Sequence, residues 1–257
     1  MDRWIGKTAI VTGAASGIGQ AITCALLRYG VNVAAIDIVQ EKLHELIAKK
    51  EQQGFPGILE IIRCDVTSEE QLDRTFEEIE TKMKGVDIMV NNAGCCKYSR
   101  VIDSEWKSFQ LILNTNVTSY AACMNKVVHS MRNRNVEGHI FNVNSVLGHY
   151  FLPKNEGDID SAVDYNLYPA SKHATVALTH TVRREIANIK PYIRITSISP
   201  GIVKTNIAAQ SEKMRNIFKK IPFIQPEDIA DAVIYALGTR QEVQITELTI
   251  QHTGEFP

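Results

Sequence analysis

Tyr168 and Lys172 stand four residues apart in Tyr168-Pro169-Ala170-Ser171-Lys172, a spacing that puts both on one face of a helix. A phenol ordinarily loses its proton near pH 10 and a lysine ammonium near 10.4, so both are protonated at neutral pH. An ammonium lying under the phenol would favour phenolate and draw the tyrosine down by roughly 1–3 pH units. That brings a phenol toward the range in which it trades a proton with an alcohol or a carbonyl. The same spacing also occurs on many solvated helix faces, so its meaning depends on what else the chain brings beside it.

The elements that must carry the pair follow from the hydrophobic pattern. Strands are expected at Thr8–Val11, Val31–Ile36, Ile58–Cys64, Asp87–Val90, His139–Asn144, Ile193–Ile198 and Gln244–Ile250. Helical patterns run near 18–29, 39–53, 68–83, 104–132, 168–189 and 226–237. Continuous apolar strands alternating with helices predict an α/β fold: a doubly wound, Rossmann-type parallel sheet of about seven strands with helices on both faces. No linker or repeat divides the 257 residues, so a single domain over 1–257 is expected. Ligands of such sheets sit outside the carboxyl ends of the strands. Ser145 follows the fifth strand there, either as an ordinary cap or as a group facing the crevice.

The first strand runs into Thr12-Gly13-Ala14-Ala15-Ser16-Gly17-Ile18-Gly19. Glycines at such a strand-to-helix turn let the backbone bend sharply and approach a pyrophosphate, which the helix N-terminus then stabilises. Strand two ends in Asp37, eighteen residues past Gly19. Its carboxylate would accept hydrogen bonds from an adenosine ribose diol and repel a 2′-phosphate; capping the next helix is the plainer role. No Arg or Lys occupies 14–16 or 38–39 to hold a phosphate, which favours the ribose role and NAD as cofactor.

The composition is that of an ordinary soluble globular protein, with a formal charge of −1. Nothing in it calls for nucleic acid or an anionic membrane as partner. No stretch reaches the roughly 18 apolar residues of a membrane span, and the first strand begins too early to leave room for a signal peptide. Cys24, Cys64, Cys95, Cys96 and Cys123 show neither metal-ligand spacing nor a disulfide framework. Reduced thiols, a cytoplasmic location and no metal are expected.

Together, Thr12-Gly13-x-x-x-Gly17-x-Gly19, Asn91-Asn92-Ala93-Gly94, Ser145, Tyr168-x-x-x-Lys172 and Pro200-Gly201 resemble the short-chain dehydrogenase/reductase family, with all five motifs in family order along nearly the whole chain. The resemblance implies catalytic roles for Asn116, Ser145, Tyr168 and Lys172: Tyr168 as acid–base, Ser145 on the substrate oxygen, Lys172 tuning the phenol and binding ribose, and Asn116 holding a water that links Lys172 to solvent. It implies cofactor contacts by Gly13, Ser16, Gly17, Ile18, Gly19, Asp37, Asp65, Val66, Asn92, Ala93, Gly94, Tyr168, Lys172, Pro200, Gly201, Val203 and Thr205, with backbone groups of Ile202 and Val203 meeting the nicotinamide carboxamide. It also implies a homodimer or homotetramer joined through helices 104–132 and 168–189. Plainer roles stand beside several of these: a loop cap for Asp65, a strand-end turn for Asn91, a buried structural amide for Asn116. Cys95 and Cys96 are expected to line the pocket, and His149 and His173 to be packing or surface residues.

One departure concerns the interval from Ser145 to Tyr168, which is longer than most family members have. Its acidic insert, about Phe151–Asn166, should run along the pocket rim. Asn206–Phe223 mixes apolar and polar residues and is either a plain amphipathic helix or, by resemblance, a lid near 206–223. Ser145-Val146-Leu147-Gly148-His149 and the ending Ile245-Thr246-Glu247-Leu248 are most similar to insect farnesol dehydrogenase-like members. The expected function is hydride transfer between NAD(H) and an apolar alcohol or carbonyl, such as an isoprenoid or steroid. The alternatives are an NADP-dependent carbonyl reductase and a dinucleotide-binding regulator without turnover.

Overall fold

The computed structural model describes residues 1–150, 165–205 and 222–255. Most of the expected rim insert and of the expected lid, 151–164 and 206–221, lies outside the described residues. Seven parallel strands form one sheet: β1 (Thr8–Thr12), β2 (Asn32–Asp37), β3 (Leu59–Arg63), β4 (Ile88–Asn91), β5 (Gly138–Val143), β6 (Ile193–Pro200) and β7 (Glu247–Ile250). Their order is β3-β2-β1-β4-β5-β6-β7. The chain therefore works outward from β1 to one edge, then returns to pair β4 on its other side. That reversal opens a crevice above β1 and β4 at their carboxyl ends.

Side chains alternate across each strand, and the two faces acquire different covers. Ala9, Val11, Val33 and Phe141 face α1 (Gly17–Arg28) and α7 (Pro226–Gly238), with Ile22, Leu26, Val233 and Leu237 packed against them. Ile10, Ala34, Ile140 and Ile195 face the other way, toward α3 (Glu69–Met83) and α5 (Ser119–Arg134), meeting Phe76, Ile79, Met124 and Val127. Burial on both faces explains why the strands read as continuous apolar runs. The remaining helices are α2 (Gln40–Gln53), α4 (Trp106–Leu113) and α6 (Tyr168–Ile186).

Two elements differ from expectation. The helix expected over 104–132 is α4 and α5 joined by a π-helical turn, Asn114–Thr118. Its Asn and Thr residues are poor helix formers, and tertiary hydrogen bonds hold the Asn116 amide there. The last strand begins at Glu247 rather than Gln244. The Gln244 side-chain amide stands in for the ladder, with Nε2 donating to the Ile195 carbonyl at 2.8 Å and Oε1 accepting from the Ile195 N–H at 3.3 Å.

Candidate active site

Asn166 sets the entry into α6. It lies at φ 50°, and its Nδ2 donates to the hydroxyls of Ser99 at 2.9 Å and Ser104 at 2.6 Å. Pro169 in the first turn suits a helix start. Tyr168 is thereby delivered to the cleft above β5, and Lys172 is carried one turn deeper, where it is 3% exposed. The Lys172 Nζ donates to the carbonyl of Val143, the last residue of β5, at 2.8 Å, and lies 5.6 Å from the ring centroids of both Tyr168 and Tyr120. Ser145 follows two residues later. Its Oγ accepts from the Leu147 N–H at 3.2 Å, and it lines the cleft together with Tyr168, whose phenol it draws down. The capping and cleft-facing roles open to Ser145 are therefore compatible.

Asn116 is fully buried. Its Oδ1 accepts from the Cys95 N–H at 2.9 Å, while its Nδ2 donates to the Cys95 carbonyl and to Ser171 Oγ, both at 3.0 Å. Ser171 in turn donates to the Tyr168 carbonyl at 2.7 Å. Asn116 thus ties the segment after β4 to the first turn of α6 and steadies Tyr168 through Ser171. Of the four residues expected to be catalytic, Ser145 and Tyr168 line the cleft, while Asn116 and Lys172 are buried.

The electrostatics differ from the simple expectation that Lys172 draws the phenol down. Burial raises Tyr168 above the ordinary phenol range, Cys96 pushes the same way, and the Ser145 hydrogen bond opposes them. The ring keeps part of its surface on the cleft, but protein crowds the rest of it. Burial also lowers Lys172 to about 8, against smaller opposing effects of Cys95 and Cys96. The ammonium points at the Val143 carbonyl rather than at the phenol oxygen, and removal from water dominates.

The Gly-rich turn is held from β4. Thr12 Oγ1 accepts from the N–H groups of Asn92 and Ala93, both at 3.0 Å, and Asn92 Nδ2 donates to the carbonyls of Thr12 at 2.9 Å and Gly13 at 3.2 Å. Gly13 and Gly17 have φ of +63° and +50°, and a Cβ on Gly19 would come within 2.1 Å of the Gly13 oxygen. Only glycine is accommodated at that last position. Ser16 caps the start of α1 with an exposed side chain that makes no cap bond. Ile18 faces the cleft. Gly94 leaves room beside Asn116 Oδ1, which a Cβ would approach only to 3.5 Å.

Asp37 is held to the backbone through both carboxylate oxygens. Its Oδ2 accepts from the Ala15 N–H at 3.0 Å, bracing the Gly-rich turn, and Oδ1 accepts from the Val39 N–H at 3.1 Å. Exposed Ile38 and Val39 flank it. The missing basic residues at 38–39 are answered from the neighbouring strand, where Arg63 pairs in register with Asp37 and its Nε donates to the Ile38 carbonyl at 3.3 Å. Asp65 accepts from the Thr67 N–H at 2.9 Å and hydroxyl at 2.7 Å, whereas the cap of α3 is Ser68. Val66 is buried in the core beneath it.

The cleft holds about 730 Å³, part of it open to solvent. Ser145, Tyr168, Pro200, Gly201, Val203 and Thr205 line it, Thr205 closing over Gly17, and its area is mainly apolar. Three further lining groups escaped the sequence reading. Tyr98 and Tyr165 form one wall, ring centroids 5.8 Å apart; sequence places them 67 residues apart with no motif to join them. Glu255 enters from the chain's last turn, and no pattern marks it. Cys96 lines the cleft as expected, its thiol pushed up to about 12 by burial. His149 is more than a surface residue: Nε2 lies 2.5 Å from Glu247 Oε1 and 3.1 Å from Ser199 Oγ, tying the segment after Ser145 to β6 and β7.

A family model described as short chain dehydrogenase matches residues 7–216. The chain is 40% identical over 258 residues to "Farnesol dehydrogenase" of Aedes aegypti, covering 99% of each. It is 35% identical to "Dehydrogenase/reductase SDR family member 11" of Homo sapiens, covering 99% of this chain and 97% of that one. Among solved structures it resembles the closed form of serine dehydrogenase complexed with NADP+, with a TM-score of 0.82 at 25% identity, over 97% of this chain and 96% of that one.

The lowered Lys172 makes a prediction for the ligand-free protein. Its pKa falls from 10.5 to about 8 on folding, so between those values the unfolded chain binds more protons than the folded one and stability rises with pH. Below pH 8 the full cost of burying the ammonium is present. Lys172→Met, similar in volume but uncharged, should therefore be more stable than wild type at pH 7 by about 1–3 kcal/mol, after allowing for the orphaned Val143 carbonyl. The difference should shrink as pH rises from 8 to 10. Urea unfolding at several pH values measures it, and parallel profiles for the two proteins would contradict the assignment.

Proposed function

Because the chain belongs to the short chain dehydrogenase family, we propose that it transfers a hydride between NAD(H) and an apolar alcohol or carbonyl, with Asn116, Ser145, Tyr168 and Lys172 as its working residues. Dinucleotide-dependent alcohol or carbonyl oxidoreduction is the chemistry of the family. The observation that carries the finer reading is that Tyr168 and Ser145 line one mainly apolar cleft that runs on to the Gly-rich turn. The crevice suits the cofactor. The turn presents the N-terminus of α1, Gly13 and Gly17 are at positive φ, and the Ser16 hydroxyl is exposed without a cap bond. When bound, the nicotinamide accepts or supplies the hydride.

The protein's own residues then move one proton and fix one oxygen. In reduction, Tyr168 Oη donates its proton to the substrate carbonyl oxygen, and burial keeps that proton in place at neutral pH. In oxidation the same oxygen takes the proton back from the alcohol. The Ser145 hydroxyl holds the substrate oxygen and the phenol in one hydrogen-bonded group. Lys172, fastened to Val143, supplies a positive charge beneath the tyrosine ring, which counters the cost of phenolate. Asn116 acts through Ser171 to keep Tyr168 in register.

For the cofactor, the Asp37 carboxylate supports NAD by facing away a 2′-phosphate. Arg63, at 3.3 Å from the Ile38 carbonyl, is the specific observation that favours NADP as the second reading. For the substrate, apolar walls and two tyrosine rings support a molecule that gains by leaving water, as the name of the Aedes aegypti relative would suggest. A location in the cytoplasm accords with the same reading, and no helix among the described residues is long and apolar enough to cross a membrane. A homodimer or homotetramer is supported by the groove between α5 and α6, lined by Met124, Val128, Leu178, Val182 and Ile186.

Tyr168→Phe should abolish turnover while leaving cofactor affinity nearly unchanged, and kcat/KM over an alcohol series should rise about tenfold per added methylene pair. Substantial activity in the Phe variant, or a small polyol heading the series, would refute the reading. NADH should bind more tightly than NADPH in calorimetric titrations. Asp37→Ala should narrow that gap and, by releasing the Ala15 N–H, weaken both; tighter NADPH binding to wild type would assign the role to Arg63. Light scattering at micromolar concentration should give a dimer or tetramer, and a monomer alone would overturn that assembly.

A further inference from the structure

Glu255 is the one carboxylate that lines the cleft among the described residues, and nothing in the roles assigned above uses it. Its position is built rather than incidental. After β7 the chain turns back on itself: the Glu255 N–H donates to the His252 carbonyl at 2.9 Å, and Gly254 supplies a φ of +87°. The carboxylate accepts from the His252 N–H at 3.2 Å and reaches the turn after β6, where Oε1 accepts from the Ile202 N–H at 3.1 Å and Oε2 lies 3.4 Å from it. Gly201 makes space for this contact, since a Cβ there would lie 2.2 Å from Oε1. The same turn is anchored to β7 by the Gly201 N–H on the Ile250 carbonyl at 2.8 Å.

We propose that Glu255 is a positioning residue of the cofactor end of the cleft, whose carboxylate both holds the Gly201–Ile202 turn and favours an oxidised, positively charged nicotinamide over a neutral reduced one. This rests on the reading that the cleft takes a nicotinamide dinucleotide beside Pro200–Thr205. The physical argument has two parts. A carboxylate bonded to a backbone N–H of a loop fixes that loop more firmly than a neutral partner does. It also leaves a negative charge in a partly desolvated cleft, where Coulomb interactions extend further than in water. The oxidised ring carries one more positive charge than the reduced ring, so the carboxylate lowers the dissociation constant of the oxidised form selectively. Lys172, 5.6 Å from the Tyr168 ring centroid, carries the opposite charge and acts in the opposite sense.

Two substitutions separate these parts. Glu255→Gln keeps the size and an oxygen able to accept from the Ile202 N–H, but removes the charge. Glu255→Ala removes both. Titration calorimetry of wild type and both variants, with oxidised and reduced forms of NAD and of NADP, reads the four dissociation constants of each protein. For the dinucleotide that binds, Glu255→Gln should raise the ratio of the oxidised to the reduced dissociation constant by about threefold or more. Glu255→Ala should change the ratio similarly and also weaken both forms. A smaller or opposite change in the Gln variant overturns the electrostatic role, and unchanged affinities in the Ala variant overturn the holding role. A residue that only supported the fold would weaken both forms alike and leave the ratio untouched. If the Ala variant fails to fold, the Gln variant still decides the charge. Wild type that binds none of the four dinucleotides would overturn the cofactor reading itself, a result distinct from normal binding with an unchanged ratio.

Discussion

Lys172 is taken almost wholly out of water, and the contact that makes this tolerable, Nζ on the Val143 carbonyl at 2.8 Å, also fixes α6 against the end of β5. A buried ammonium without a partner would be far costlier than a buried hydrogen-bonded one. Once that contact is made, little freedom is left around it. Ser145 lies two residues past Val143, and Tyr168 lies one helical turn before Lys172, so both hydroxyl-bearing residues line one cleft. Asn116 and Ser171 close the arrangement from the side of α4 and α5. Tying three elements to one carbonyl-bound charge is a stiff design, and stiffness is what proton transfer between fixed atoms requires.

The other half of the crevice rests on a neutral hydroxyl. Thr12 ends β1 and accepts two N–H groups from the segment after β4, so the two strands flanking the topological switch are locked at their carboxyl ends. That lock positions the Gly-rich turn, and Asp37 braces it again from β2 through the Ala15 N–H. The carboxylate expected to meet a ribose therefore already has structural work in the protein itself. A change at Asp37 therefore disturbs the turn as well as anything the carboxylate would bind.

Much of this was legible in the sequence because it is local or periodic. The sheet, its strand count and the order of elements follow from apolar runs of strand length separated by helical ones. The Gly-rich turn and Tyr168-x-x-x-Lys172 lie within single segments whose spacing carries their geometry. What was not legible depends on atoms brought together from far apart. The π-helical turn at Asn114–Thr118 arises from the bonds of Asn116 to Cys95 and Ser171. Arg63 stands beside Asp37 only through the register of β2 and β3. The raised Tyr168 needs a count of the surrounding protein, and a spacing argument that weighed Lys172 alone pointed the other way. Tyr98, Tyr165 and Glu255 join the cleft through tertiary contacts that no motif encodes.

Those non-local features bear on the direction of the chemistry. Burial holds the Tyr168 phenol protonated, which prepares it to give a proton to a carbonyl oxygen and makes phenolate formation costly. Lys172 reduces that cost but is itself weakened as a cation by the same burial, being lowered to about 8. The tyrosine end of the cleft therefore favours the protonated phenol. Glu255 places a negative charge beside the Gly201–Ile202 turn, the charge proposed above to favour a positively charged ligand ring. Because the two biases arise from different elements, α6 and the turn after β7, they can be altered separately.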